Sequence, residues 1–135
     1  MLFDYWVSRR MEFTTEEKRE CLETAKTIID LAQKVRNGGI MALETEIDAV
    51  SDILLKKALR LIIDGIQEDE IRGILQTWII AGNYRGRRLF KRLLILDGMM
   101  ALQRGNAPEF IRNATLASHF GEVMLPEYNK YFEKG

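Results

Sequence analysis

DILLKKALRLIIDGIQEDEIRGILQTWIIAG, from Asp52 to Gly82, carries apolar residues three and four positions apart through two consecutive runs. That spacing follows the 3.6-residue turn of an α-helix, not the two-residue alternation of a half-buried strand. In the first run Ser51 or Asp52 is placed to cap, Leu55, Leu59 and Ile62 form one stripe, and Gly65 is a natural left-handed terminator. In the second, Glu68, Asp69 and Glu70 stand in the first turn, where the helix dipole favours negative charge. Ile71, Ile74, Leu75, Trp78 and Ile79 then make an inward face, and Gly82 closes the run.

The same period extends both ways. Thr14 with Glu17 fits a capping box, and the helix it opens carries Leu22, Ala25, Ile28, Ile29, Ala32 and Val35 on one face until Gly38 and Gly39 stop it. A short helix, IMALETEI, is expected next. Beyond the AGNYRG hinge comes RRLFKRLLILDGMMALQRG, apolar on most sides and therefore expected at the centre of the bundle. Gly98 inside it costs about 1 kcal/mol relative to alanine, which a close helix crossing would explain. Asn106 with Glu109 reads as a second capping box, with Pro108 in the first turn and Phe110, Ala114, Ala117 and Phe120 facing inward. The tail, LPEYNKYFEKG, reads as one more short helix. With Pro108 and Pro126 the only prolines and no alternating β-branched run, the fold class is all-α. A single domain over 1–135 is expected, a compact bundle of about five to seven helices.

Composition narrows the function. Of 135 residues 47% are hydrophobic and 30% charged, the balance of a folding globular chain. Twenty basic and 20 acidic residues cancel, so net charge gives no pull toward nucleic acid. Cys21 and His119 are the only cysteine and histidine, which excludes an internal disulfide, a cysteine-rich zinc site and a histidine-pair metal motif. ETEID (Glu44, Glu46, Asp48) lacks the regular inward carboxylates of a bundle metal site. No metal or other cofactor is expected. Phosphate-cradling GxxxxGK[ST], dinucleotide GxGxxG and HExxH are absent, and a lone His119 near a helix end reads as a surface or satisfied structural residue, so the chain is expected to be non-enzymatic.

No apolar run reaches the roughly 18 to 20 residues that cross a bilayer; LLILDGMMAL is interrupted by Asp97. The start, MLFDYWVSRRMEF, has an early Asp4 and no long apolar centre, which makes it a poor secretory signal. Its aromatics are expected to pack on the domain, with docking to a membrane surface or partner as the alternative. A cytoplasmic location is expected, with the inner face of the membrane as one place it could act.

Charge is segregated along the chain. Glu44 to Glu70 holds eight acids and three bases, and Arg85 to Arg112 holds seven bases and two acids. Two solvated helix faces would account for this; so would a surface that steers a charged partner. Arg85, Arg87, Arg88, Lys91 and Arg92 form a basic stretch that nucleic acid or an anionic membrane could use, although core apolar positions interrupt it. A second copy of the chain is a further partner to consider. Two internal echoes, GIMALE with GMMALQ and LRLIIDG…EIR with LLILDG…FIR, fit an old duplication and chance equally well.

LAQKVRNGGIMALETEID followed by LLKKALRLIIDGIQEDEIRGIL, spanning 31–75, resembles the cytoplasmic segment of the MotA family, the ion-channel stator subunits of the bacterial flagellar motor. The resemblance fades after Leu75, and 85–135 reads as a helical part that closes the bundle. It implies a protein-interaction module in motor assembly or regulation, with a flagellar rotor or stator component as partner. It also implies that Arg36 and Glu44 stand where the family contacts oppositely charged groups on the rotor protein FliG. Ion conduction is not implied, because the family's four membrane helices have no counterpart here. Local roles are the alternative: Arg36 complementing the end of its own helix, Glu44 pairing with a nearby lysine.

Overall fold

A computed structural model describes residues 2–133, and among these it contains helices and turns but no strand. The all-α bundle read from the spacing is what forms. Helix α1 covers Leu2–Ser8, α2 Thr15–Arg19 and α3 Leu22–Gly38; two 3-10 turns, Ile40–Thr45 and Ile47–Ala49, lead to α4, Ile53–Ile63. Then come α5, Glu68–Gly82, and α6, Gly86–Gln103. The short α7, Pro108–Phe110, runs through a π-helical turn, Ile111–Leu116, into α8, Ala117–Glu133.

Helix α6 is the axis of the bundle. Leu89, Phe90, Leu93, Leu94, Ile95, Leu96, Met99, Met100, Ala101 and Leu102 are all buried, which leaves few of its positions for water. Helices α2 to α5 and the π turn pack around it, and each fully buried Leu, Ile or Phe contributes about 1.5–3 kcal/mol. Gly98 lets α3 come close: a methyl group there would lie 2.7 Å from Ile28 Cγ2, inside contact distance. The crossing that the sequence requires of this glycine is the α3–α6 crossing.

Helix ends follow local chemistry. The Leu55 N–H donates to Asp52 Oδ1 at 2.9 Å, fixing the start of α4. Helices α4 and α6 end alike: Gly65 (φ 80°) donates to the Ile62 carbonyl while Ile66 donates to Leu61, and Gly105 (φ 82°) donates to Leu102 while Asn106 donates to Ala101. Both are Schellman closures. Each glycine sits three positions before the next helix, at Glu68 and Pro108. The geometric repeat therefore pairs Gly65 with Gly105. The echo read from the letters pairs Gly65 with Gly98, which lies inside α6, and GIMALE is a 3-10 turn where GMMALQ is α-helix.

Several expectations need correction. The Thr14–Glu17 capping box forms, but it opens the separate α2; the chain re-caps at Cys21 before α3. IMALETEI is two 3-10 turns. The Asn106–Glu109 box does not form: Ala107 is the cap, and Glu109 turns to Arg36 instead. Phe110 is 53% exposed and Ala114 exposed, because the wide π turn puts Ile111 and Leu116 inside in their place. Trp78 is 44% exposed and Ile74 only half-buried, while Ile71, Leu75 and Ile79 carry the inner face of α5. Gly82 ends α5 with Asn83 left-handed (φ 50°), and any Cβ on Gly82 would collide with the Tyr84 ring. The N-terminal aromatics divide: Phe3 and Val7 are buried and Trp6 half-buried, whereas Leu2 and Tyr5 face solvent. The tail forms 122–133, turned by Gly121 (φ 83°); residues 134 and 135 of that stretch, and Met1 of the first, lie outside the described residues.

Candidate functional site

The glycine step after α3 shapes the lip on which Arg36 and Glu44 sit. Gly38 finishes the helix, Gly39 adopts φ 82° and donates to the Val35 carbonyl at 2.7 Å, and the chain tightens into the 3-10 turn. Leu43 anchors that turn in the core with no exposed surface, so its neighbour Glu44 is held out in solvent. Arg36, one turn from the end of α3, is exposed as well. Of the apolar residues of this stretch Leu43 is buried, Ile40 half-buried and Met41 58% exposed.

The partners of the two charges differ. Arg36 Nη1 donates to Glu109 Oε1 at 2.6 Å, joining the end of α3 to α7. A hydrogen bond from its own backbone N–H, with the Arg36 guanidinium, holds the Glu109 carboxyl below the ordinary carboxylate range. Glu44 makes no ion pair among the described residues; the nearby lysine, Lys34, reaches Glu46 at 2.9 Å. Beside Arg36 lies a groove of about 330 Å³ floored by Ala32, Val35, Leu102 and Pro108. Phe110, next to Glu109, stands exposed.

The basic stretch is divided by the fold. Lys91 pairs with Asp52 at 3.1 Å, and Arg87 is among the groups that lower the pKa of Glu17. Arg88 and Arg92 turn toward the Tyr84 ring, with Arg92 stacked 3.6 Å from its centre. Arg85 is the exposed residue at the start of α6. Part of the charge segregation is consumed internally: Asp52–Lys91 and Glu68–Arg104 (2.8 Å) join the acidic block to the basic one across α6. His119 bonds to Asp97 at 2.7 Å and packs edge-on against Phe90. Among the described residues no group of three or more His, Cys, Asp or Glu converges, and no helix is long and apolar enough to cross a membrane.

Over 73 residues, 52% of its length, the chain is 34% identical to the uncharacterized protein YtxD of Bacillus subtilis, covering 27% of that protein. Over 50 residues, 37% of its length, it is 32% identical to motility protein A of Borreliella burgdorferi, covering 19% of that protein. Part of the chain is thus similar in sequence to a motility protein, and the chain spans only about a quarter to a fifth of the length of these relatives. No protein-family model and no solved structure matches it.

Sequence reasoning misses Glu109 as the partner of Arg36, because its letters spell a capping box. It also misses the exposed Trp78, since period alone assigns an indole to the core. Neither is marked by a local pattern: the Arg36–Glu109 pair and the Lys57–Trp78 contact form only when distant helices pack.

Proposed function

We propose that this chain is a non-enzymatic protein-contact module of the motility apparatus, acting on the cytoplasmic side in motor assembly or regulation. The similarity to motility protein A supports the setting. One structural observation carries the site: Leu43 is fully buried while Arg36 and Glu44 flank the Gly39 turn in solvent, so two opposite charges project from a rigid lip. Exposed ion pairs are individually weak, so contacts made this way form and release readily. In the isolated chain Glu109 occupies Arg36, and a partner carboxylate takes its place on binding. The groove beside Arg36 offers apolar surface for the same partner.

The test is co-precipitation with flagellar motor proteins and swimming in soft agar, using Arg36→Glu and Glu44→Lys. Either change is expected to weaken capture and shrink the swimming halo while leaving the helical fold intact. Unchanged capture and swimming in both variants sink the assignment.

A further inference from the structure

We propose a second docking surface, unrelated to the Arg36–Glu44 lip, that takes an acidic segment of a partner protein through one apolar side chain set among carboxylates. It lies where the start of α4, the end of α5 and the start of α6 meet. Ile53 is 71% exposed and Trp78 44%, although both carry large apolar surface. Between them opens a small cavity of about 100 Å³, walled by Leu54, Ile79, Tyr84 and Arg92 as well. That is room for about one aliphatic side chain, since a dry cavity of roughly 150 Å³ accepts benzene. Exposed apolar residues scattered singly need no explanation, but two that share a cavity with an aromatic wall do.

Charge identifies the occupant. Lys57 Nζ lies 5.2 Å from the centre of the Trp78 ring, and the Arg88 and Arg92 guanidiniums lie 5.2 and 3.6 Å from that of Tyr84. None of these three cations has a carboxylate partner among the described residues, whereas Lys91, in the same basic stretch, pairs with Asp52. Three cations resting on the two rings of one apolar hole, with no carboxylate among them, make its rim locally positive. A cation resting on a ring face still presents its outer N–H donors to solvent, and the ring holds it in place. Trp, Tyr and Arg around a central pocket are also the residues that dominate binding energy at protein interfaces. The rings fix the position of the site and the cations fix the sign of its ligand.

A random peptide display library selected against the intact chain tests this. Retained sequences are expected to carry Asp or Glu on both sides of an aliphatic or aromatic residue and to bind more weakly as salt rises. Trp78→Ala and the paired Arg88→Glu, Arg92→Glu variant are each expected to weaken the selected peptides by roughly tenfold or more. Ile53→Asp is a further variant that keeps the fold, since its side chain is exposed at the first position of α4, and it places a repelling carboxylate in the site. Vesicles of phosphatidylcholine with phosphatidylglycerol, and duplex DNA, serve as competing anions. The proposal is overturned if no peptide is retained, if retained peptides are basic, or if they bind Trp78→Ala and Ile53→Asp as well as the parent chain. Binding of vesicles or DNA that ignores Trp78 and Ile53, with no peptide selected, also overturns it. Because Arg36 and Glu44 take no part, this surface and the rotor-contact reading can fail separately.

Discussion

Arg36 and Glu109 lie 73 positions apart in the chain and meet at 2.6 Å on its surface. The pair ties the end of α3 to the start of the C-terminal arm, and both side chains remain more than half exposed. Water competes at such a site, so the bond adds little to stability and much to the orientation of the guanidinium. Glu109→Gln is expected to leave the melting temperature almost unchanged and to increase co-precipitation of motor proteins, because Arg36 then has no internal competitor. Arg36→Ala in the same background should remove that gain. A large fall in melting temperature for Glu109→Gln would show that the pair is a structural clasp.

Gly98→Ala sets helix propensity against packing. Alanine gains about 1 kcal/mol as a helix former, yet its methyl would lie 2.7 Å from the Cγ2 of fully buried Ile28. Overpacking of this kind costs typically 1–3 kcal/mol, so a net destabilisation of about 0–2 kcal/mol is expected by urea denaturation. In an Ile28→Ala background the penalty should shrink or reverse. Equal effects in both backgrounds would remove the crossing as the reason for the glycine.

Tyr128 closes the C-terminal arm. Its hydroxyl donates to the Arg112 carbonyl inside the π turn at 2.7 Å, and burial pushes the phenol above its ordinary range. Tyr128→Phe leaves that carbonyl without this donor and should cost about 1 kcal/mol. The measurement is chemical denaturation, and a shift within error would mean that water replaces the phenol.

Acid should loosen the fold through identifiable carboxylates. Glu17 is held below its ordinary value of 4.5 first by the Thr14 backbone N–H, Glu68 by the hydrogen bond from Arg104, and Glu127 by that from Arg19. A folded-state value below the unfolded one means stability that is complete above the ordinary carboxylate range and is lost as pH falls through the depressed values. Melting temperature should therefore be flat near neutrality and decline below about pH 4.5. Glu68→Gln should decline less over that window; an unchanged slope would count against the Arg104 contact.

Cys21 is expected to be inert in the native state. It is 1% exposed, its thiol faces the Arg87 carbonyl, and burial raises its pKa to about 11. Only the thiolate reacts readily. Labelling with a thiol reagent at pH 7.5 should be slow and should accelerate with urea, reporting the opening of the α2–α3 corner; rapid native labelling would contradict the packing.

Much of the architecture was readable from periodicity and caps. The Asp52 cap, the Gly65 terminator, the central α6 and the demand for space at Gly98 each depend on residues near one another in sequence. What escaped reading depends on distant groups. Glu109 leaves its cap because Arg36 arrives from α3, and Phe110 turns outward because a π turn adds a residue that no apolar period marks. The candidate site divides the same way: the Gly39 turn and buried Leu43 are local, whereas the charge partners and the Trp78 corner exist only once α4, α5 and α6 have packed.

Glu17 accepts from the Thr14 N–H at 2.9 Å, and its carboxylate lies so near the start of α6 that a Cβ added at Gly86 would meet it. The amide end of a long helix beside several arginines is ordinarily a socket for phosphate. Here the socket comes with its plug. A phosphorylated ligand arriving at that end would have to evict a carboxylate already bonded to the start of α2, a helix that Lys18 and Arg19 also tie to α8.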